Sequence, residues 1–221
     1  MKITIFDTIP STNDYCETRE FGEDTAIIAR EQTGGKGTKG RSFSSPRGGV
    51  YLSLVRYYPC KAENAFSLMI ASCMAGVKTL EIYGARADIK WPNDVFLNGK
   101  KICGILIKNS FEGDNVKKSI TGIGVNVNND IPADLADIAI NLKSVVGEVD
   151  IDEFYKRLVG NLYADYSVDE YRSRNIVLGK EITIIKNGEA RKAVAEDIAT
   201  DGSLVLKGGE KLFYGEVTIR F

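Results

Sequence analysis

The sequence predicts an α+β fold, with a mixed β-sheet backed by helices and a small β-barrel after it. Strand patterns lie on both sides of one long helical pattern at residues 62–82. Towards the C-terminus the sequence changes to short strand patterns separated by Asn-Gly, Asp-Gly and Gly-Gly turn pairs. We therefore expect two domains, residues 1–175 and residues 176–221.

The N-terminal quarter of the chain predicts three strands and one short helix. Lys2–Phe6 alternates isoleucine with polar residues, which is typical of a strand. Ser11 or Thr12 is a good N-cap for a helix that continues to about Glu20. Further strands are predicted at 25–30 and at 50–57, the second of them half-buried because apolar and polar side chains alternate.

The central part of the chain predicts a long helix followed by a hairpin. Residues 62–82 carry apolar side chains at three- and four-residue spacing, and Asn98-Gly99 predicts a two-residue turn. The strand after this turn is apolar on both faces, which is typical of a strand buried on both sides. The other predicted elements are a strand ending at Lys90 or Trp91, a strand at 119–127 and an amphipathic helix or helix pair at 151–173.

The chain of 221 residues contains no histidine, and this feature excludes the most chemistry. It removes Ser-His-Asp and Cys-His catalysis, histidine-ligated zinc and imidazole general bases. The four cysteines lie outside any CxxC pattern, so we expect free, buried thiols. Chemistry then depends on lysine, arginine, carboxylates, hydroxyls, backbone amides or a hard cation such as Mg²⁺.

Charge and hydropathy argue against two classes of partner. A net charge of −1 gives no global basic field for DNA. We expect every strongly apolar run to be shorter than the roughly 18 residues that a membrane span needs. The N-terminal sequence carries Asp7 where a signal peptide is apolar. The sequence therefore predicts a cytoplasmic protein without a DNA or membrane partner.

The segment Gln32–Phe43, called the glycine loop below, concentrates glycine and positive charge. Glycine lets the backbone approach a ligand closely, and successive N–H groups can form an anion-binding nest. The loop thus predicts a phosphate or carboxylate site, with a flexible solvated connection as the alternative. Its spacing also matches the dinucleotide and P-loop motifs, but Pro46 and the glycines after it exclude the helix that both motifs require.

Three other segments carry groups suited to ligand binding. Ser11 and Thr12 can bind a polar ligand group at a helix N-terminus, or can serve only as caps. Lys90 lies beside Trp91 at a strand end, where it is either desolvated in a cleft or solvated. Asparagines after the last strand of the sheet suit either a ligand or a turn. Gly104, inside a strand, indicates close approach of a ligand or of another backbone.

Together these segments resemble biotin–protein ligases, and the resemblance covers nearly the whole chain. The matching segments are Ser11-Thr12-Asn13, the glycine loop, Lys90-Trp91-Pro92-Asn93-Asp94 followed by Lys101-x-x-Gly104-Ile-Leu, and Gly122-Ile-Gly-Val-Asn126. The resemblance implies a class II aminoacyl-tRNA-synthetase-like catalytic domain with an SH3-like barrel, in a ligase of the type without an N-terminal helix-turn-helix. It also implies dimerisation along a sheet edge.

The implied reaction has two steps. The biotin carboxylate attacks the α-phosphate of ATP, giving biotinyl-adenylate and pyrophosphate, with Mg²⁺ on the phosphates. A lysine of a biotin carboxyl carrier domain, as in acetyl-CoA carboxylase, then takes the biotinyl group. The meeting of two anions requires cations and backbone amides but no histidine.

The resemblance also implies roles for individual residues. Lys90 would be the main catalytic residue, bridging the carboxylate and the α-phosphate, and Arg41 would contact phosphates. The biotin-binding residues would be Ser11, Thr12, Asn13, Gln32, Gly35, Lys36, Gly37, Thr38, Lys90 and Gly104. The nucleotide-binding residues would be Lys36, Lys39, Arg41, Phe43, Asn93 and Asn126, with Mg²⁺ arriving with ATP rather than at a fixed site.

The glycine loop departs from the family pattern at three positions. Lys36 and Thr38 stand where arginine is frequent, and Phe43 stands where tryptophan is frequent. Lysine lacks the bidentate fork of arginine, and threonine lacks its charge. This predicts faster escape of the adenylate, detectable as labelling of bystander lysines. Labelling confined to the carrier lysine, with no added escape in Lys36→Ala and Thr38→Ala variants, would count against it.

Two other functions remain open at this point. A lipoate or octanoate ligase or transferase shares the catalytic fold, although Ser11, Thr12 and Gln32 favour a ureido ring over a plain acyl chain. A non-catalytic biotin-binding or regulatory protein on the same scaffold is the second. The acceptor protein, the oligomeric state and the order of the loop without ligand are also left open.

Overall fold

The fold is described from a computed structural model that covers residues 1–57, 60–215 and 217–220. The larger sheet contains β1 Lys2–Phe6, β2 Thr25–Ala29, β3 Val50–Arg56, β4 Cys60–Lys61, β5 Asp88–Lys90, β6 Asp94–Leu97, β7 Lys100–Glu112 and β8 Asn115–Val125. The helices are α1 Thr12–Glu17, α2 Phe66–Ile82, α3 Lys143–Val146, α4 Ile151–Asn161 and α5 Val168–Ser173. Short 3-10 turns cover Thr38–Gly40, Ala62–Asn64 and Ala133–Leu135.

The larger sheet is mixed, as predicted. Its strand order is β1-β2-β3-β8-β7-β6-β5, with β4 paired to β8. β1 runs parallel to β2, and the other pairs are antiparallel. The predicted hairpin turn joins β6 to β7, and Asn98 and Gly99 both have positive φ, at 50° and 76°.

Helices cover both faces of the sheet at its centre. α2 and α4 pack on one face with the main hydrophobic cluster, whereas α1 packs against β3 and β8 on the other. Every residue of β3 is consequently buried. The prediction that this strand is half-buried was wrong, because tertiary packing covers the face that its polar side chains occupy.

Helix boundaries differ from the predicted ones by a few residues. α1 begins after the N-cap Ser11, whose hydroxyl accepts a hydrogen bond from Asp14 N, but it ends at Glu17 rather than near Glu20. The segment 62–82 starts as a 3-10 turn and becomes α-helical at Phe66. Residues 151–173 form a helix pair, α4 and α5, rather than one helix.

The segment Ala62–Ile82 is long and apolar enough to span a membrane by length and composition, with a mean hydropathy of 1.4. The expectation that no run reaches that length was therefore wrong. Within the described protein, 61% of the apolar stretch is buried. The packing of α2 against α4 and the sheet accounts for its composition.

The C-terminal strands form a second, antiparallel sheet consistent with the predicted small barrel. They are β9 Glu181–Lys186, β10 Glu189–Ile198, β11 Leu204–Leu206, β12 Lys211–Leu212 and β13 Thr218–Arg220. Its apolar side chains belong to the same hydrophobic cluster as α2 and the larger sheet. Trp91 Nε1 donates to Gly202 O at 3.0 Å, which ties the end of β5 to this C-terminal module. The domain division at residue 175 stays a prediction.

Candidate functional site

Three adjoining cavities lie around the glycine loop. The first cavity, of about 110 Å³, is bounded by the N-terminus of α1, the glycine loop and strands β3, β7 and β8. Its lining residues are Ser11, Thr12, Asn13, Gln32, Lys36, Gly37, Thr38, Arg41, Ser42, Phe43, Tyr51, Leu52, Ser53, Asn93, Lys101, Gly104, Ile105, Leu106, Gly122, Ile123 and Gly124.

Hydrogen bonds fix one polar wall of the first cavity. Gln32 Oε1 accepts from Thr12 N at 2.8 Å and from Thr12 Oγ1 at 3.1 Å. Gln32 Nε2 donates to Ser45 Oγ at 3.0 Å, and Ser53 Oγ donates to Thr12 Oγ1 at 2.9 Å. Ser45 and Ser53 were not singled out in the sequence, because isolated serines carry no recognisable spacing.

Asn13 is the unsatisfied group of this wall. Asn13 is 5% exposed, and neither the nitrogen nor the oxygen of its side-chain amide has a hydrogen-bond partner among the described residues. A Cβ atom at Gly122 would lie 3.0 Å from Asn13 Nδ2, so this glycine makes room for the amide. Asn13 therefore offers a donor and an acceptor to a ligand in the cavity.

Hydrogen bonds to the preceding segment and within the loop hold the glycine loop in place. Gly34 N donates to Pro10 O at 2.8 Å, and Gly37 N donates to Arg41 O at 2.7 Å. The Arg41 guanidinium donates from Nε to Thr38 O at 3.2 Å and from Nη2 to Thr38 Oγ1 at 2.8 Å. The Arg41 guanidinium is therefore held by Thr38, the residue that stands where arginine is frequent in biotin–protein ligases.

Lys36 forms an ion pair with an aspartate of α1. Its Nζ lies 2.7 Å from Asp14 Oδ2. The hydrogen bond and charge of Asp14 raise the pKa of the Lys36 ammonium. Lys36 is therefore charged at neutral pH and lies at the rim of the first cavity, where it can face an anion.

Phe43 and Lys101 form one end of the first cavity. The Phe43 ring lies over two glycines: a Cβ atom at Gly124 would come within 2.5 Å of Phe43 Cε1, and one at Gly104 within 3.2 Å of Cε2. Lys101 Nζ lies 5.8 Å from the centroid of the Phe43 ring and 2.6 Å from Asp94 Oδ1. The two glycines therefore determine how deeply the ring sits.

The second cavity, of about 140 Å³, lies on the far side of this end. It shares Ser42, Phe43 and Lys101 with the first cavity. Its other lining residues are Ser44, Asn126, Asn129, Ile131, Pro132, Leu135, Ile138 and Ala139. An aromatic ring, an asparagine and an apolar wall form a suitable environment for a flat, polar-edged ring.

The third cavity, of about 250 Å³, lies between the glycine loop, the turn after β5 and the C-terminal module. Its residues are Thr38, Lys39, Arg41, Lys90, Trp91, Pro92, Asn93, Asp94, Leu106, Tyr214, Gly215, Val217, Thr218 and Ile219. Thr38, Arg41, Asn93 and Leu106 also line the first cavity. Burial lowers the pKa of Lys90 here, partly offset by Asp94, and neighbouring cations lower it further.

Cysteine and metal chemistry find little support among the described residues. All four cysteines are free, and burial raises the pKa of both Cys16 and Cys103 to about 12, so neither is a ready thiolate nucleophile. No group of three or more Cys, Asp or Glu side chains that could hold a metal occurs within residues 1–57, 60–215 and 217–220.

A family model described as the biotin/lipoate A/B protein ligase family matches residues 5–126. The biotin–[acetyl-CoA-carboxylase] ligase of Paracoccus denitrificans is 34% identical over 202 residues, covering 82% of this chain and 83% of the relative. The chain belongs to the biotin/lipoate A/B protein ligase family.

Two further comparisons extend this assignment. The bifunctional ligase/repressor BirA of Bacillus subtilis is 40% identical over 131 residues, but the match spans 57% of this chain and 40% of that protein. The structure of the Aquifex aeolicus biotin protein ligase in complex with biotin and ATP has a TM-score of 0.80 and 25% identity, covering 99% of this chain and 98% of the other. The fold predicted from the family resemblance is thus confirmed.

The structure brings most of the residues assigned by the ligase resemblance to these cavities. Ser11, Thr12, Asn13, Gln32, Lys36, Gly37, Thr38, Arg41, Phe43, Asn93 and Gly104 line the first cavity, Lys39 and Lys90 the third, and Asn126 the second. Gly35 lines none of the three, but a Cβ atom there would come within 2.4 Å of Phe43 O and Ser45 Oγ. The absence of a side chain at Gly35 lets the start of the glycine loop pack closely against Phe43 and Ser45 at its end.

Lys101, which the sequence analysis named in a matching motif without assigning it a role, lies at these cavities. It is shared by the first and second cavities, whereas Lys90 lines the third. Lys101 is the second residue of β7, just before the part of the strand that is apolar on both faces, and stands three residues before Gly104. A charged residue at such a position was the available signal, but the KWPND motif drew attention to Lys90 instead.

Proposed function

We propose that this protein is an ATP-dependent ligase that activates biotin as biotinyl-adenylate and transfers it to a lysine of a biotin carboxyl carrier domain. The names of its relatives support this reaction, since they include biotin–[acetyl-CoA-carboxylase] ligase and a biotin protein ligase in complex with biotin and ATP. The match to the Bacillus subtilis relative spans only 40% of that protein. The complete activity, including its substrates and acceptor, is therefore part of the proposal.

The observation that carries the choice of biotin is the unsatisfied amide of Asn13 in the first cavity. A ureido ring presents N–H donors beside a carbonyl acceptor and can satisfy both amide atoms. The dithiolane ring of lipoate and the alkyl chain of octanoate carry neither N–H nor C=O groups and leave both amide atoms unpaired, at a cost of about 1–3 kcal/mol for each buried group. Ser11, Thr12 and Gln32 complete this polar wall, with Thr12 and Gln32 fixed by each other.

The adenosine group fits the second cavity, with Phe43 against the base and Asn126 beside it. This leaves Lys101 where the biotin carboxylate and the α-phosphate would meet, because it borders both cavities. We propose that its ammonium neutralises the two anions as they approach. Lys90, originally assigned this bridging role, remains a candidate that acts on the phosphates from the third cavity, together with Arg41, Lys39 and Asn93.

The first step joins a carboxylate oxygen to the α-phosphorus and breaks the bond from that phosphorus to the oxygen bridging to the β-phosphate. Pyrophosphate leaves with the electron pair. In the second step the acceptor amine attacks the acyl carbon, AMP leaves through its phosphate oxygen, and the amine loses a proton. Lys36, the backbone from Gly35 to Thr38 and the closed glycine loop would keep water from the mixed anhydride between the steps.

Three companion proposals go with this function. The acceptor would be a carboxyl carrier domain, and the protein would act in the cytoplasm without a DNA partner.

The third companion proposal is a homodimer formed along a sheet edge. It is supported by β1, an edge strand whose Ile3 and Ile5 are 42% and 41% exposed. Light scattering on the purified protein measures this association directly.

The deciding experiment is exchange of labelled pyrophosphate into ATP in the presence of Mg²⁺ and one of three acids. We expect exchange with biotin and none with lipoate or octanoate. Exchange with lipoate instead would move the protein to the other branch of the family. Biotin binding without exchange by any acid would identify a non-catalytic binding protein.

Two lysine variants then test the assignment of the cation. Lys101→Ala should reduce exchange by about a hundredfold while keeping measurable biotin binding, since the lost interaction strengthens in the transition state. Lys108→Ala, on the same strand but outside the three cavities, is the matched control. A larger loss in Lys90→Ala than in Lys101→Ala would return the bridging role to Lys90.

A further inference from the structure

The turn between β5 and β6, at residues 91–93, determines where two charged side chains of the site lie. Lys90 ends β5 and lines the third cavity, and Asp94 begins β6. Asp94 Oδ1 lies 2.6 Å from Lys101 Nζ. A displacement of this turn would therefore move Lys90 and the carboxylate partner of Lys101 together.

A buried hydroxyl from outside the site holds the middle of this turn. Tyr171, in α5, donates from its hydroxyl to Pro92 O at 2.7 Å. It is 0% exposed, and its ring packs edge-on against Phe66 with the centroids 5.9 Å apart. Burial raises the pKa of the Tyr171 hydroxyl well above its usual value, so the hydroxyl keeps its proton and remains a donor. A thiol, Cys73 Sγ, lies 3.6 Å from the same carbonyl and is a weaker donor.

The segment after α5 holds the neighbouring peptide of the turn. Trp91 N donates to Asn175 Oδ1 at 3.3 Å, and Asn175 is 8% exposed. Asn175 also forms a parallel bridge with Ile89 of β5. Neither Tyr171 nor Asn175 lines any of the three cavities. Both residues therefore act on the site only through the turn that they contact.

We propose that Tyr171 is a positioning residue of the adenylation step, which fixes the turn that presents Lys90 and Asp94 by holding the Pro92 carbonyl. This inference rests on the proposed function. Peptide groups of a turn need hydrogen-bond partners outside regular secondary structure, so a donor from α5 decides how this carbonyl is oriented. Precise placement matters, since a displacement of about 1 Å can cost about a hundredfold in rate.

Tyr171→Phe removes the hydroxyl and keeps the packed ring. We expect kcat/KM for MgATP in biotin-dependent exchange to fall about tenfold, with biotin affinity unchanged, because the first cavity is untouched. In ¹³C NMR of the lysine Cε groups, the pKa of Lys90 should rise towards 10.5. Burial is the largest cause of its lowered pKa, and a displaced turn admits water to the ammonium. The Lys90 resonance is assigned from its absence in Lys90→Arg.

Tyr51→Phe is the matched control, because Tyr51 is 1% exposed and its hydroxyl donates to Pro46 O at 2.6 Å. It loses the same kind of hydrogen bond away from the turn, so the pKa of Lys90 should equal that of the unmodified protein. Asn175→Ala removes the acceptor of the neighbouring peptide and should also raise the pKa of Lys90. This second variant decides the proposal if Tyr171→Phe does not fold.

A folded Tyr171→Phe variant that keeps both the pKa of Lys90 and kcat/KM for MgATP would overturn the proposal. The Tyr171 hydroxyl would then only stabilise the fold. Equal changes in the pKa of Lys90 in Tyr51→Phe and Tyr171→Phe would also overturn it. The NMR titration needs neither biotin nor ATP, so failure of biotin-dependent exchange in the unmodified protein is a separate result that bears on the proposed function.

Discussion

Asn13 links the stability of the ligand-free protein to the choice of ligand. A buried amide without partners destabilises the fold, whereas the same amide strengthens the binding of a molecule that pairs with both its atoms. Asn13→Leu removes the amide at similar volume. We expect biotin affinity to fall about ten- to a hundredfold, as one or two buried hydrogen bonds are lost.

The Asn13→Leu variant carries its own control. Because the unpaired amide is gone, the free energy of unfolding without ligand should not decrease, and octanoate should bind at least as well as before. Calorimetry with both acids and chemical denaturation give the three quantities. Unchanged biotin affinity would mean that the polar wall recognises its ligand through other groups.

Lys90 predicts a pH dependence. Burial lowers its pKa, and Lys101, Arg41 and Arg220 lower it further, against the opposing charge of Asp94. The ammonium is present below that pKa, so an activity that uses its charge falls on the alkaline side before the ordinary lysine value of 10.5. This loss should appear in kcat/KM for MgATP, which reports the free enzyme.

Two arginine variants identify the group behind this alkaline limb. Lys90→Arg should move the limb to higher pH, since arginine stays charged. Lys36→Arg should leave it in place, because Asp14 already raises the pKa of Lys36. A limb that does not move in Lys90→Arg would assign the ionisation to another group.

At the level of elements, the glycines of β7 and β8 explain how the strands form a binding surface. Gly122 makes room for Asn13, while Gly104 and Gly124 accommodate Phe43. Gly124→Ala would bring a Cβ atom within 2.5 Å of the Phe43 ring and force it away from the strands. We expect weaker AMP binding, because Phe43 borders the second cavity. Phe43 and Gly124 also line the first cavity, so biotin affinity should fall too, but by a smaller factor, because the polar wall at Asn13 is untouched.

Gly160→Ala in α4 is the control for this change, since nothing lies within 4 Å of a Cβ atom there. It should leave both affinities unchanged and raise helix stability slightly, by about 1 kcal/mol or less. Titration of AMP and biotin into both variants compares them directly. Equal losses of AMP and biotin affinity in Gly124→Ala would indicate general disruption of the sheet rather than displacement of Phe43.

The elements were largely predictable because they depend on local pattern, whereas their environment was not. The hairpin at Asn98-Gly99 and the cap at Ser11 follow from residues in sequence proximity and were confirmed. The full burial of β3 depends on α1 and α4, which pack on opposite faces of the sheet, and no alternation within the strand reveals this. Lys101 was given no role for the same reason, since only the fold shows which lysine borders two cavities.

At the scale of the whole molecule, the C-terminal module shares a hydrophobic core with the N-terminal part of the chain. One hydrophobic cluster includes Trp91 and Leu80 of the N-terminal part together with Ile182 and Leu204 of the module. Backbone hydrogen bonds from Ile89 N to Arg174 O and from Ile176 N to Ile89 O, both 2.8 Å, reinforce this connection. The module therefore shares the core that supports the third cavity.

A shared core predicts that the protein unfolds in one transition, even though the sequence predicts two domains. Denaturation curves followed by far-UV circular dichroism, which reports the whole chain, and by Trp91 fluorescence, which reports the junction, should coincide. Trp91→Phe removes the hydrogen bond to Gly202 O and should lower the free energy of unfolding by about 1–3 kcal/mol while keeping one transition. Two separated transitions in the unmodified protein would instead make residue 175 a boundary between independently stable domains, and the walls of the third cavity could then separate while each half stayed folded.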